Sequence, residues 1–404
     1  MAKHDIKSKN IKNIDNRKRP LDRTEDGKHI DIFLIFVICL VVVALSLGQL
    51  IVPDKEKSDN ENRYLTQAPK FDISNILEGK FESQLEEYLS DQIPGRENWI
   101  KIMSTVSTSI GMTDVNGVYV LKDGRLIERK TEAEFNAKRF RRNLENVAEF
   151  RDEVSEGGTE VRMLLVPTAA YSYREKFNAS TNFDEVAAMD QAKEVLGDTL
   201  IKFRNSLMPE DEGSRGYYYL TDHHWNYQGA EKGAKAYMKS IGKKLSKCTS
   251  ETLSEDFMGT LYSKVLLTKK VRDRIEIPEE SKDIKVEVTI EDEKYDSIYF
   301  MDRLENKDKY EVFLGGNYDR VDIVNKEDGA RALPKLMIIK DSYANSFVPF
   351  ILGDFREITL IDTRYYRESV KDLALDGEYD DVLVLYSIPN FSEEKLNLNE
   401  SALQ

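Results

Sequence analysis

Histidine and cysteine are scarce in this sequence. Four histidines occur among 404 residues, and two of them, His223 and His224, are adjacent. The two cysteines are Cys39 and Cys248, and no CxxC pair exists. Because Cys39 lies inside a long apolar run, we expect neither a disulfide framework nor a cysteine-based metal site. The G-x-S-x-G elbow typical of α/β-hydrolases is absent as well.

Basic residues are outnumbered by acidic ones. The chain has 59 Lys and Arg against 73 Asp and Glu, which gives a formal net charge of −14. Nucleic acids bind through basic patches that neutralise phosphates, so this balance argues against a nucleic-acid partner. The length allows one large domain or two smaller ones, each with a substantial core.

One long apolar run is present near the N-terminus. Residues 32–52 carry no charge, and a helix of that length spans the bilayer core of about 30 Å. A buried core helix and a cleaved signal peptide are the alternatives. The apolar region of a signal peptide is normally shorter and precedes a small-residue cleavage site, which is not evident here. We therefore predict an uncleaved signal anchor at 32–52.

Basic residues before this run predict its orientation. The first 30 residues contain nine of them: Lys3, Lys7, Lys9, Lys12, Arg17, Lys18, Arg19, Arg23 and Lys28. The positive-inside rule makes residues 1–31 a cytoplasmic tail and everything after residue 52 extracytoplasmic. His4 and His29 then lie in the cytoplasm. Any catalytic or metal-binding histidine of the large domain must therefore be His223 or His224.

The rest of the chain divides by pattern. Residues 53–110 read as a polar stalk and a helical segment, the latter over 75–103 with a break around Pro94 and Gly95. Residues 111–404 form the main domain. It begins with a hairpin around Asp123-Gly124. An amphipathic helix over 132–154, an apolar strand over 161–167 and a helical stretch over 184–207 follow.

Later segments predict an α/β fold with a mostly parallel sheet flanked by helices. Apolar strands are expected at 336–339, 357–362 and 382–387, with helical segments between them. Residues from about 250 to 330 look different, because apolar positions alternate in IKVEVTI (284–290) and YEVFL (310–314). We expect this part to be a β-rich insertion.

Asp341 and Ser342 directly follow the apolar strand at 336–339. In an open α/β sheet, ligands bind at the carboxyl ends of strands. A serine there, before a helix, has backbone N–H groups beside it that could stabilise an oxyanion. The alternative interpretation is that Asp341 or Ser342 only caps the helix.

Asp222 and His224 are separated by one residue. In an extended segment both side chains point to the same side, so Asp222 could orient His224 as a general base. His223 would then point away and be structural. Two alternatives stay open: a structural Asp–His pair, and a metal site formed by Asp222 with both histidines.

The motif TDHHW (221–225) resembles the signature of the DHHW family, which is similar to the AlgJ/AlgX group of SGNH-hydrolase-like polysaccharide O-acetyltransferases. Further segments share this resemblance: NENRYLTQAPKF (60–71), LSDQIPGRENWI (89–100), NGVYVLKDGRLI (116–127), LLVPTAAYSY (164–173), IIKDSYANSFVPFIL (338–352) and LIDTRYY (360–366). Together they cover nearly the whole extracytoplasmic part. One departure is Lys340, which stands where such proteins usually have glycine.

The resemblance implies an SGNH-like fold and a function. Ser342 would be the nucleophile, His224 the base and Asp222 its orienting partner. Asp341, His223, Trp225 and Arg364 would support them, with no cofactor or metal. The expected reaction is acetyl transfer to a cell-surface or secreted polysaccharide, with a membrane acyltransferase of the MBOAT type as acyl donor. A carbohydrate esterase and a non-catalytic surface or assembly protein are the alternatives.

Overall fold

The computed structural model describes residues 25–58, 63–77, 79–177, 180–210 and 215–399. Residues 1–24 of the predicted cytoplasmic tail, and 60–62 of the segment at 60–71, lie outside the described residues. The described chain forms two compact units. One comprises 25–56 and 65–96, and the other comprises 57–58, 63–64 and 97–399.

Helices and strands alternate along the described residues. The α-helices are α1 Glu25–Ile51, α2 Ile73–Leu77, α3 Lys80–Asp91, α4 Arg96–Ser109, α5 Ala137–Ser155, α6 Ala169–Ser172, α7 Glu185–Leu196, α8 Tyr227–Ser240, α9 Thr260–Val265, α10 Tyr343–Phe347, α11 Val370–Asp376 and α12 Ile388–Glu393. The strands are β1 Lys57–Ser58, β2 Arg63–Tyr64, β3 Asp114–Val115, β4 Val118–Val120, β5 Leu126–Glu128, β6 Glu160–Val166, β7 Ser250–Phe257, β8 Asp273–Pro278, β9 Val286–Ile290, β10 Glu293–Tyr295, β11 Arg320–Asn325, β12 Lys335–Lys340, β13 Glu357–Ile361 and β14 Asp381–Ser387. Short 3₁₀-helices lie at Gly197–Thr199, Glu279–Lys282, Met301–Glu305, Lys309–Val312, Ala330–Ala332, Val348–Phe350 and Leu352–Asp354.

A seven-stranded sheet organises the larger unit, in the order β10-β9-β11-β13-β12-β14-β6. The strands β13, β12, β14 and β6 pair in parallel. The strands β11, β9 and β10 extend the sheet by antiparallel pairing. The predicted α/β fold class is confirmed, and four of the seven strands of this sheet are parallel.

Alternating side chains of the parallel strands fill two cores. Leu336 and Ile338 of β12 pack on one face of the sheet in the same core as residues of α8 and α10. Met337 and Ile339 point to the other face, where α5, α7, α11 and α12 contribute. This explains the continuous apolar sequence of β12, because both faces of the strand are covered by helices.

Several local predictions differ from the structure. Helix α5 begins at Ala137, because the Asn136 side chain accepts the hydrogen bond of Arg139 N–H and caps the helix there. Helix α7 ends at Leu196, before Gly197, so the predicted helix over 184–207 was too long. The YEVFL segment was wrongly assigned to a strand, because Lys309–Val312 forms a 3₁₀-helix.

Two other local predictions are confirmed. Strands β4 and β5 form the expected hairpin, and Gly124 in its turn has φ +90°, which favours glycine. The helical segment after the stalk is broken between Asp91 and Arg96, around Pro94 and Gly95. Helix α1 contains an apolar stretch at His29–Ile51 of 23 residues, which is long enough to cross a membrane.

Candidate active site

The nucleophile candidate Ser342 lies at the carboxyl edge of the parallel strands. Strand β12 ends at Lys340, and α10 begins at Tyr343. Asp341 organises this turn: its Oδ1 accepts the Tyr343 N–H at 2.9 Å, and its Oδ2 accepts the Ser387 N–H at 2.8 Å and Asn390 Nδ2 at 2.9 Å. Asp341 thereby joins the ends of β12 and β14.

Asp222 and His224 lie in a bend, not in the extended segment assumed from the sequence. An isolated antiparallel bridge between Tyr218 and Trp225 closes the bend. Asp222 Oδ1 accepts the His224 backbone N–H at 3.0 Å and lies 2.6 Å from His224 Nδ1. The two side chains are adjacent as predicted, but a turn-forming hydrogen bond brings them together.

The structure brings Asp222, His224 and Ser342 together. His224 Nε2 lies 2.7 Å from Ser342 Oγ, although the two residues are 118 positions apart in sequence. All three residues are buried. Because an ionised carboxylate only accepts hydrogen bonds, Nδ1 of a neutral His224 carries the proton. Its Nε2 is then the acceptor for the Ser342 hydroxyl, the arrangement required of a general base.

Electrostatics favour a charged Asp222 beside a neutral His224. Burial alone would raise the pKa of Asp222, but His223, His224 and the hydrogen bonds from His224 hold that pKa well below its usual range. Burial, together with the charge of His223, lowers the pKa of His224, and Asp222 opposes this only in part. His224 is therefore ready to accept a proton at neutral pH.

Residues of the strand-rich segment, from about 250 to 330, hold Asp222 in place. Asp222 Oδ2 accepts the Thr260 backbone N–H at 2.8 Å and the Thr260 hydroxyl at 3.0 Å. Asp273 on β8 accepts the backbone N–H groups of Leu220 and Thr221, each at 2.8 Å. Sequence reasoning missed both Thr260 and Asp273, because no motif marks them.

Tyr310 is a further residue that sequence reasoning missed. Its ring stacks on the His224 imidazole with a centroid separation of 4.0 Å and an interplanar angle of 11°. Its hydroxyl donates to the Ser342 carbonyl at 2.9 Å. Tyr310 therefore contacts both the base candidate and the nucleophile candidate. It belongs to the 3₁₀-helix where a strand was predicted.

His223 is partly exposed and does not diverge from His224. Its Nδ1 lies 2.9 Å from the Thr260 hydroxyl, and the two imidazole rings are 4.0 Å apart. Ligand atoms of Asp222, His223 and His224 lie within 4.8 Å of one another, so they form a possible metal-binding group. A metal ion bound through His224 Nδ1 and Asp222 Oδ1 would displace the hydrogen bond between those two atoms.

Trp225 links the two segments that carry the site. It is fully buried, and its Nε1 donates to the Tyr343 carbonyl and to Ser346 Oγ, each at 3.0 Å. Both acceptors belong to α10, directly after Ser342. The residue following His224 thus anchors the Asp-His bend to the helix that follows the serine.

Arg364 and Lys340 lie in a charged cluster with Asp362. Within the described residues, the hydrogen bonds of these two side chains are made to groups other than Asp222, His224 and Ser342. Arg364 donates to both oxygens of Asp362, which follows β13. Lys340 Nζ donates to Asn317 at 2.9 Å and Asn345 at 2.8 Å, and lies 3.9 Å from Asp362. Burial lowers the pKa of Lys340 to about 8. Lys340 thus ties the loop at Asn317 to β12.

Comparison with known proteins identifies the fold that carries this site. A family model described as the SGNH hydrolase-like domain of acetyltransferase AlgX matches residues 125–300. Residues 125–300 have an SGNH hydrolase-like fold. The match includes Asp222 and His224 and ends before Ser342. The resemblance to the DHHW and AlgX proteins seen in the sequence is confirmed.

Solved structures show the same fold. A DHHW family protein from Eubacterium siraeum has 24% identity and a TM-score of 0.59, over 69% of this chain and 93% of that chain. PatB1 from Bacillus cereus, in a structure with a sulfonyl adduct, has 17% identity and a TM-score of 0.59, over 70% of this chain and 98% of that chain. Among curated proteins, a sequence search finds no match.

Proposed function

We propose that this protein is a membrane-anchored, extracytoplasmic O-acetyltransferase that acts on a cell-surface or secreted polysaccharide. The observation that carries this proposal is the hydrogen-bonded chain from Asp222 through His224 to Ser342. Its location at the carboxyl edge of the parallel strands is where α/β sheets bind ligands. The family model that matches residues 125–300 is named for an acetyltransferase, which favours acetyl transfer.

In the first step, Ser342 Oγ attacks the carbonyl carbon of the acyl donor. His224 Nε2 takes the hydroxyl proton, and the charged Asp222 stabilises the resulting imidazolium. Collapse of the tetrahedral intermediate breaks the bond to the leaving group, which receives the proton from His224. The acetyl group is then esterified to Ser342.

The oxyanion of that intermediate needs hydrogen-bond donors. In the turn after β12, the N–H of Tyr343 donates to Asp341 Oδ1 and the N–H of Ala344 donates to the Asp341 carbonyl. These two groups are therefore occupied. We propose the backbone N–H of Ser342 as one oxyanion donor.

In the second step, a sugar hydroxyl attacks the acetyl-serine. His224 takes the proton of that hydroxyl and returns it to Ser342 Oγ as the ester is transferred. The products are an O-acetylated sugar and the free serine. Water in place of the sugar would give the esterase reaction, so the acceptor alone distinguishes the two activities.

The predicted membrane anchor bears on where the domain lies and on the source of the acetyl group. A signal anchor at 32–52 with the basic tail in the cytoplasm would keep the SGNH hydrolase-like domain outside the cell, where acetyl-CoA is not expected. A membrane acyltransferase of the MBOAT type is the proposed partner that passes the acetyl group across. The acceptor is proposed to be the polysaccharide.

Acylation by an activated ester tests the nucleophile. Incubating the protein with nitrophenyl acetate should add one acetyl group to the peptide around Ser342, detected by intact mass and peptide mapping. Ser342→Ala should abolish it, whereas Ser155→Ala, at an exposed serine, should not. Because one Bacillus cereus PatB1 structure holds a sulfonyl adduct, a sulfonyl fluoride is a second probe. Equal labelling of wild type and Ser342→Ala would favour the non-catalytic alternative.

The same assay tests the base and the acceptor. The acylation rate should rise with pH, with a midpoint below about 6.5, because burial and His223 lower the pKa of His224. Oligosaccharides should discharge the acetyl-enzyme faster than water does, because a bound hydroxyl is held in position. Discharge at the rate of water with every acceptor would favour the esterase.

A further inference from the structure

Exposed large apolar side chains are concentrated in one part of the chain. Outside α1, thirteen of them lie between residues 52 and 112: Val52, Tyr64, Phe71, Ile73, Ile76, Leu77, Leu89, Trp99, Ile102, Met103, Val106, Ile110 and Met112. The described residues after 112 contain four: Val186, Met301, Tyr365 and Leu375. Where such side chains form one contiguous patch, the patch marks a surface that binds a protein or a membrane.

Helix α4 carries four of these side chains, and its amphipathic pattern is inverted. The buried residues of α4 are Ser104 and Ser107. Its exposed side, which we call the α4 apolar face, consists of Trp99, Ile102, Met103 and Val106 and continues into Ile110 just after the helix. The spacing of three and four residues puts these side chains on a single stripe.

We propose that the α4 apolar face inserts into the outer interface of the membrane that α1 spans. The inference rests on the proposed membrane anchoring of α1. The chain connects the end of α1 at Ile51 to Trp99 through 47 residues, so the face can reach the bilayer while α1 stays inserted. Tryptophan is enriched where lipid headgroups meet acyl chains, and α4 carries the exposed one of the two tryptophans in the chain.

The size and charge of the face favour lipid over a second copy of this chain. Five side chains of this kind expose on the order of 500 Å², whereas a stable interface needs roughly 800 Å² from each partner. The charges of α4 are Arg96, Glu97 and Lys101. This balance gives little attraction to anionic lipids, so burial of apolar side chains would drive insertion, and neutral phosphatidylcholine should be sufficient.

The two tryptophans provide the test. Trp99 is 47% exposed, and Trp225 is fully buried, so lipid can contact only Trp99. The full chain is reconstituted in phosphatidylcholine vesicles with and without bromine on the acyl chains. Bromolipid should quench the Trp99 emission at least about twofold, as expected for an indole at the headgroup–acyl boundary. The Trp99→Phe variant, which keeps Trp225, should show no quenching.

A matched control tests whether bromolipid quenching is specific to the α4 apolar face or follows from solvent exposure alone. Val186 on α7 is 44% exposed, nearly the value for Trp99. A Val186→Trp substitution in the Trp99→Phe background should remain unquenched by bromolipid and accessible to acrylamide. Quenching at this position equal to that of Trp99 would overturn the proposal.

Carbonate washing of the vesicles tests the anchor independently. Retention of the protein without Trp99 quenching would overturn the α4 face proposal while the anchor stands. If acrylamide also fails to reach Trp99 in that case, protein covers the face, as in a dimer. Extraction by carbonate together with Trp99 quenching would overturn the anchor, and with it the proposal that the face inserts into a membrane that α1 spans. Extraction without quenching would overturn both.

Discussion

The two adjacent histidines have different environments at the residue scale. His224 is buried, and it is hydrogen-bonded through Nδ1 to Asp222 and through Nε2 to Ser342. His223 is partly exposed and bonded to Thr260. Its charge nevertheless lowers the pKa of both Asp222 and His224. We therefore expect His224 to act in proton transfer and His223 to tune it.

Substituting each histidine separates these roles. His224→Ala should reduce turnover by about 10⁴-fold or more, as removal of a triad base does. His223→Gln should cost less than about tenfold and shift the pH midpoint of acylation upward, because a nearby positive charge no longer lowers the pKa of His224. The measurement is the pH profile of acylation by nitrophenyl acetate. Equal losses with unchanged folding would instead indicate a metal site, which elemental analysis would detect.

At the element scale, α8 needs small residues where it meets the Asp-His bend. A Cβ on Gly229 would lie 2.2 Å from the Tyr217 carbonyl oxygen and 2.7 Å from Trp225 Cβ. A Cβ on Gly233 would lie 2.7 Å from the Trp225 ring. Since Trp225 holds the bend against α10, the close approach of α8 also supports the position of His224.

Gly233→Ala tests this packing. Helix propensity alone would make the substitution stabilising by about 1 kcal/mol. We expect instead a loss of about 1–2 kcal/mol in the free energy of unfolding, because the added methyl displaces Trp225, and a reduced acylation rate. Urea unfolding and the acylation assay measure both effects. Lys235→Ala, at an exposed position of α8, should change neither by much, and a stabilised Gly233→Ala protein would contradict the packing argument.

At the scale of the whole molecule, buried carboxyl groups make stability depend on pH. Burial raises the pKa of Glu394 to about 8 and that of Asp381 to about 7, although Arg364 and Arg162 oppose it. In the unfolded chain both groups titrate near pH 4. The folded state therefore binds more protons between pH 4 and 8, so its stability is greatest at the acidic end of that window and is lost as pH rises through 7 to 8.

Thermal unfolding should show this slope. We expect Tm to fall by at least about 5 °C between pH 5.5 and pH 8. Glu394→Gln removes one titrating group, so its slope should be smaller than that of the wild type. A Tm that rises over this range, or a Glu394→Gln slope equal to the wild-type one, would contradict the assignment. Circular dichroism at each pH provides the measurement.

Much of the fold could be predicted from sequence where the signal is local. The strands β6, β12, β13 and β14 read as apolar runs because helices cover both faces of the sheet. The hairpin at Gly124 follows from the conformational freedom of glycine. The YEVFL segment misled the prediction, because Tyr310 and Val312 alternate as in a strand but pack into the core from a 3₁₀-helix.

The sequence by itself determined which residues were candidates at the site. Asp222, His224 and Ser342 each stood out, the first two by their spacing and the last by its position after an apolar strand. The distances between them could not be predicted, because the chain between His224 and Ser342, which lie 118 positions apart, forms α8, α9 and the six strands β7–β12, whose packing has no local signal.

Only the tertiary structure decided what surrounds Asp222, His224 and Ser342. Thr260 reaches Asp222 and Tyr310 stacks on His224 only because the strand-rich segment returns to the carboxyl edge of the sheet. Such contacts depend on the summed packing of distant elements, not on any short pattern. The α4 apolar face is a similar case: its residues were visible in the sequence, but their exposure depends on burial of Ser104 and Ser107 on the opposite side.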